Sequence, residues 1–161
     1  MQACFIGHRT INKSEELIKE LSNVVLELIN KGVTTFLFGS MSEFDDLSWE
    51  IVTKVREKHP FIKRVNVRAS FQNVSRSYEK YLYQFYEETY FPNKLQKAGK
   101  ISYVERNFEM IDKSNYCIFY YNQNYEPPLR LQNKGKRTLK TKSGTKLAYE
   151  YAVKKKKETI Y

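Results

Sequence analysis

A chain of 161 residues is about one domain's worth, long enough to bury roughly two-thirds of its unfolded surface without a metal or disulfide staple. Its 28 basic and 18 acidic side chains leave a formal net charge of +10. That field attracts phosphates, nucleic acid or anionic lipid, although a Lys-, Asn- and Tyr-rich composition bias would give the same total. The two cysteines, Cys4 and Cys117, lack metal-ligand spacing and sit among apolar neighbours. They read as core residues of a reducing, cytoplasmic compartment rather than a disulfide framework. No apolar run is long enough to span a bilayer, and the chain enters a strand at once with no charged and apolar leader. No membrane partner is expected.

Residues 3–6 form a short apolar run stopped by Gly7, which predicts a buried strand followed by the loop Gly7-His8-Arg9-Thr10. Asn12 and Glu15 have capping-box spacing, and Leu17, Leu21, Val24, Val25, Leu28 and Ile29 then repeat at helical spacing up to Gly32. Residues 33–38 are β-branched and aromatic, a second strand ending at Gly39-Ser40. Asp45 or Asp46 can cap the next helix, with Leu47, Ile51 and Val55 on one face, and His59-Pro60 ends it. Residues 62–67 suit a third strand. Tyr78, Tyr81, Leu82, Phe85 and Tyr86 predict an amphipathic helix within 75–90, before Pro92. Residues 101–104 suit a short strand, 106–113 a short helix and 116–121 a central strand. A long loop over 122–142 carries Pro127-Pro128 and six basic residues; loops of that length are usually functional or disordered. A last helix starts near Thr145, with a lysine run at 154–157 suited to its C-terminal dipole, and Ile160-Tyr161 suit a final edge strand. Strands alternating with helices imply βαβ units. The expected fold is a single Rossmann-like domain over 1–161, a three-layer α/β sandwich with a mostly parallel sheet.

In open α/β sheets, ligands lie at the carboxyl ends of the strands near the topological switch point. Four segments qualify: Gly7-His8-Arg9-Thr10, Gly39-Ser40-Met41, Glu105-Arg106-Asn107 and Lys142-Ser143-Gly144-Thr145. Gly7 and Gly39 let a backbone approach a ligand, or simply make turns. Ser143-Gly144-Thr145 at a helix start is either an ordinary cap or an anion site with amides, hydroxyls and the positive dipole end. Arg9 and Arg106 suit bidentate bonds to phosphate or carboxylate. Asp45 and Glu50 could accept ribose hydroxyls, Asp45 serving equally as a helix cap. His8 is either a ligand contact or a solvated loop residue, and the tyrosine stripe either packing or a base-stacking surface. The sequence holds no dinucleotide fingerprint, Walker motif, nucleophile triad or metal cluster, so no cofactor is expected.

Taken together, Cys4-Phe5-Ile6-Gly7-His8-Arg9, Phe38-Gly39-Ser40-Met41 with Phe44-Asp45 and Glu50, Tyr103-Val104-Glu105-Arg106-Asn107 with Met110-Ile111-Asp112 and Ser114, and Lys142-Ser143-Gly144-Thr145 with Tyr151-Ala152 resemble, in chain order, the YpsA-like branch of the SLOG superfamily. That superfamily also holds the LOG nucleotide hydrolases and the DNA-processing protein DprA. The resemblance covers nearly the whole chain. It implies a modified Rossmann fold and a pocket for a nucleotide-derived anionic small molecule, sensed in a stress or phage-defence setting. The pocket would be built from Gly7, His8, Arg9, Gly39, Ser40, Asp45, Glu105, Arg106, Asn107, Ser143, Gly144 and Thr145. A homodimer or higher oligomer would follow from the family analogy alone. Hydrolysis of an N-glycosidic or phosphate bond is one alternative, with His8, Asp45 or Glu105 as acid/base candidates. Against it, the position of the LOG catalytic glutamate is Ala148, and Glu150 points to another helix face. Single-stranded nucleic-acid binding, as in DprA, is the other alternative, suited by the net charge, the basic loop and the tyrosines.

Overall fold

The computed structural model describes residues 1–39, 42–69, 75–92, 100–125 and 143–160. Among them the chain forms β1 (Gln2–Gly7), α1 (Glu15–Asn30), β2 (Thr35–Phe38), α2 (Glu43–Arg56), β3 (Lys63–Val67), α3 (Arg76–Leu82), β4 (Glu88–Tyr90), α4 (Lys100–Lys113), β5 (Tyr116–Tyr120), α5 (Gly144–Lys154) and β6 (Glu158–Ile160). The six strands make one sheet in the order β4-β3-β2-β1-β5-β6, and every pairing is parallel. The chain builds outward from β1 to β4, then returns to the other side of β1 as β5. The switch point therefore lies between β1 and β5, where ligands of open α/β sheets sit. This is the expected Rossmann-like α/β fold, with a sheet more uniformly parallel than anticipated.

Both faces of the sheet are covered, so the central strands read as continuous apolar runs. Ala3, Phe5, Phe36, Phe38 and Ile118 face one side, where they pack against Leu21, Val25 and Leu28 of α1 and Phe44, Leu47 and Val52 of α2. The rings of Phe5, Phe36 and Phe38 stack at 5.2–5.7 Å between centroids. Cys4, Ile6, Leu37, Val65, Val67 and Phe119 face the other side, against Met110 and Ile111 of α4 and Ala148 and Ala152 of α5. Cys4 and Cys117 lie opposite each other in register as buried free thiols. No described helix is long and apolar enough to cross a membrane.

Several local expectations are corrected. Serines cap four of the helices: Ser14, Ser42, Ser75 and Ser143 accept the amides of Leu17, Asp45, Tyr78 and Lys146. Asn12 is therefore not the α1 cap. Asp45 and Asp46 lie inside the first turn of α2 instead of capping it. The tyrosine-rich stretch is not one helix. It leaves helical geometry after Leu82, because the Phe85 carbonyl accepts the Trp49 indole N–H and the Glu87 carboxylate is gripped by the backbone amide, Nε and Nη2 of Arg64. These anchors draw 88–90 into the sheet edge as β4. Residues 101–104 are not a strand, because α4 runs unbroken through them. Its buried stripe of Ser102, Arg106, Met110 and Ile111 has helical spacing, but two of its members are polar and hid the period. Residues 126–142, most of the expected basic loop, lie outside the described residues, as does Tyr161.

Candidate functional site

At the switch point the β1–β5 ladder continues one step past the strand ends. The His8 amide donates to the Tyr120 carbonyl at 3.3 Å, and the Asn122 amide donates to His8 Nε2 at 2.7 Å. His8 is buried, not a solvated loop residue. Burial lowers its pKa, and the Asn122 amide needs a lone pair on Nε2. Both favour neutral imidazole with its proton on Nδ1, an assignment made from the hydrogen bond. That Nδ1 is buried and has no hydrogen-bond partner among the described residues. The Tyr125 ring stacks on the imidazole at 4.0 Å and 14°, and its hydroxyl contacts the Thr10 amide and Oγ1 at 3.3 and 3.0 Å.

At the ends of β2 and β3 sits Arg106, which comes from within α4 and not from a loop ahead of it. Its Nη1 donates to the Gly39 carbonyl at 2.7 Å and the Val67 carbonyl at 3.4 Å, and its Nε to Asn107 Oδ1 at 3.0 Å. The guanidinium lies over the Tyr103 ring. Burial lowers its pKa, and the nearby Asp45 carboxylate opposes that shift. Both bidentate edges of the guanidinium are partly committed to protein acceptors, leaving Nη2 without a hydrogen bond among the described residues. Asn107 thus orients Arg106. Glu105 lies on the preceding step of α4 with a buried Oε2 that has no partner among the described residues.

The two glycines have packing reasons. A Cβ on Gly7 would overlap the Phe44 ring, and one on Gly39 would lie 2.6 Å from Arg106 Cζ. A Cβ on Gly144 would meet nothing within 4 Å among the described residues, so packing against them does not require that glycine. Ser40 lies outside the described residues.

Parallel strands place the helix N-termini at this carboxyl edge, but they differ in charge. The first turns of α1 and α2 carry Glu15 and Glu16, and Glu43, Asp45 and Asp46. The α2 start is further occupied by the Arg9 carbonyl, which accepts the Glu43 amide, while the Glu43 carboxylate accepts the Ile11 amide. Acids there disfavour an anion. The first turn of α5 has none. Its cap uses the Lys146 amide, leaving the Gly144 and Thr145 amides without helical acceptors. Arg9 is exposed at the same edge. Glu50 instead pairs with Lys13 at 3.0 Å.

Three residues escaped the sequence reading. Arg68, one residue past β3, is buried; its Nη2 pairs with Glu79 at 3.1 Å, while Nε and Nη1 have no partner among the described residues. No local feature of the sequence marks it, since it follows the strand Lys63–Val67, which itself mixes charged, polar and apolar residues. Tyr121 and Tyr125 extend the aromatic cluster from His8 to Tyr149 of α5, stacked on Tyr121 at 5.3 Å. A cleft of about 310 Å³ opens between α1 and β5–β6, lined by Leu17, Leu21, Ile118, Tyr120 and Ile160 among others; it reaches Tyr121 and Asn122 beside His8, but none of the site residues singled out from the sequence lines it. Ala148 is fully buried in the core, so no carboxylate stands at that position.

No family model and no curated protein matches the sequence. Solved structures do match. DNA processing protein A (DprA) from Streptococcus pneumoniae superposes with a TM-score of 0.60 at 15% identity over 98% of this chain and 48% of that one. The Helicobacter pylori protein, whose structure was described for its single-stranded DNA binding mode, gives 0.57 at 16% identity over 99% of this chain and 63% of that one. The chain has the fold of DprA. It spans between about half and two-thirds of the length of these DprA chains, and at such identity the likeness establishes fold alone.

Proposed function

We propose that this domain binds a single nucleic-acid strand across the carboxyl edge of its sheet. The observation that carries the reading is the placement of charge. The connection from β5 to α5 holds six basic side chains and one acid over 122–142, five of the ten net positive charges. It leads into α5, whose first turn, like that of α4 and unlike those of α1, α2 and α3, holds no acid. Cations, open amides and the Tyr121 and Tyr125 rings suit a phosphate backbone with stackable bases. The DprA-like fold, and the strand binding described for the Helicobacter pylori protein, support the same reading. The test is fluorescence anisotropy with a labelled oligothymidylate at about 50 and 200 mM salt. Binding that weakens steeply with salt supports the reading; no binding at low salt refutes it.

A second reading, a compact nucleotide-derived anion as in the YpsA-like branch, is favoured by the buried Nδ1 of His8 and Nε and Nη1 of Arg68, unpartnered among the described residues. Donors that deep suit a small ligand better than a polymer. Its affinity would vary little with salt, which separates the two. Its pocket would combine Gly7, His8, Arg9, Gly39, Ser40, Asp45, Glu105, Arg106, Asn107, Ser143, Gly144 and Thr145, with Asn107 and Gly39 acting through Arg106.

A further inference from the structure

The outer surface of α3 carries aromatic rings that the core does not use. Leu82 is the buried residue of this helix. Tyr81 and the following Tyr83 are 54% and 56% exposed. Tyr78 and Tyr81 lie offset and near-parallel, 6.3 Å apart at 19°, and Tyr81 meets Phe85 at 5.2 Å. The strip is anchored beneath by Trp49, which packs its ring edge-on to Phe85 and donates its indole N–H to the Phe85 carbonyl at 3.1 Å. The rings are therefore held in place before any partner arrives, which reduces the ordering cost of binding.

Charge selects among partners. Glu79, the acid of α3, is paired with Arg68 at the end of β3. The exposed charges left on the helix are Arg76 and Lys80. Protein-docking faces also concentrate tyrosine and arginine, but they are depleted in lysine and broader than a single row of rings. A narrow row of tyrosines edged by cations instead matches stacked bases beside a phosphate backbone. The Arg68–Glu79 pair also ties the strip to the carboxyl edge.

We propose that Tyr78 and Tyr81 are a base-stacking platform, onto which a single strand runs after leaving the carboxyl edge beside β3. This rests on the nucleic-acid reading above. The test compares oligothymidylate with an abasic strand of equal length on the wild-type protein, Tyr81→Ala and Tyr81→Phe. Because Tyr81 is exposed, both variants should fold, which circular dichroism checks. The expected result is that Tyr81→Ala weakens oligothymidylate binding about fivefold or more, leaves abasic-strand binding unchanged, and is rescued by Tyr81→Phe. Unchanged oligothymidylate affinity in Tyr81→Ala, beside a wild type that binds, overturns the platform alone. Loss of self-association in Tyr81→Ala with strand affinity intact also overturns it, making the strip a protein interface. A wild type that binds neither strand overturns the nucleic-acid reading itself.

Discussion

Gly39→Ala tests whether Arg106 is built into the sheet edge. The new Cβ would lie 2.6 Å from Cζ, 2.7 Å from Nη1 and 2.9 Å from Nη2 of Arg106. Ordinary carbon contacts begin near 3.5 Å, so the guanidinium must move by roughly an ångström. It would then give up the 2.7 Å bond to the Gly39 carbonyl. A hydrogen bond from a charged donor is worth about 1.5–3 kcal/mol, and overpacking costs about 1–3 kcal/mol. Since both terms draw on the same displacement, the expected loss is about 2–4 kcal/mol, not their sum. Urea unfolding followed by the fluorescence of Trp49, the single tryptophan, measures it. Arg106→Met removes the group that the Cβ meets. On that background Gly39→Ala should cost under about 1 kcal/mol, a coupling of roughly 1–3 kcal/mol. Additive losses in the double variant, or a Gly39→Ala protein as stable as wild type, would refute the reasoning.

The other two glycines should separate stability from binding. Gly7→Ala drives a methyl into the Phe44 ring and should cost at least about 2 kcal/mol. Gly144→Ala meets nothing among the described residues and should leave stability equal or raise it by up to about 1 kcal/mol, yet weaken strand binding by crowding the α5 amides; paired melts and anisotropy titrations check both. For His8, burial holds the folded pKa below the unfolded value. The unfolded chain therefore binds more protons in between, and the His8 contribution is full above about pH 6.5 and declines as pH falls below it. His8→Gln should flatten that part of the stability–pH curve measured by urea unfolding, and an unchanged slope would contradict the assignment. Glu87 is held below the usual carboxylate range by its hydrogen bonds to Arg64, against the opposing effect of burial. Its contribution is present above about pH 4.3 and lost as pH falls through the folded value. Glu87→Gln should cost about 1–3 kcal/mol at neutral pH and remove that acid sensitivity.

The central strands β1, β2 and β5 were legible because parallel strands buried on both faces are short continuous apolar runs, and α1 because one clean apolar stripe faces the core, whereas the three-residue edge strand β4 was not. Where polar residues join a buried stripe, as Ser102 and Arg106 do in α4, periodicity failed. It failed again where aromatic residues at helical spacing serve other ends, since Phe85 and Tyr86 pack on Trp49 beyond the end of α3. The α1 and α2 caps were misread for a local reason: asparagine and aspartate compete with serine for the same position, and their neighbours decide. For the site, the sequence placed Gly7, His8, Arg9 and Gly39 at the carboxyl ends of β1 and β2, where the structure has them, but not their geometry. Gly7 and Gly39 read as openings for a ligand because Phe44 and Arg106, the groups that fill them, lie 37 and 67 residues away in the chain. Arg68 and Tyr125 have no local signature; their meaning comes from Glu79 and His8 across the fold.

The most direct measurement is photocrosslinking of a halogenated single strand to the full chain, with crosslinked peptides identified by mass spectrometry. The sequence holds two basic clusters. One lies in the connection between the end of β5 and the start of α5, two points that both belong to the carboxyl edge. The other is 154–157 at the end of α5, where Lys157 bonds the carbonyls of Asp112 and Ser114 at the amino edge. The account places crosslinks on Tyr121, Tyr125 and the 126–142 connection. Crosslinks confined to 154–157, with the carboxyl edge unmodified, would contradict it.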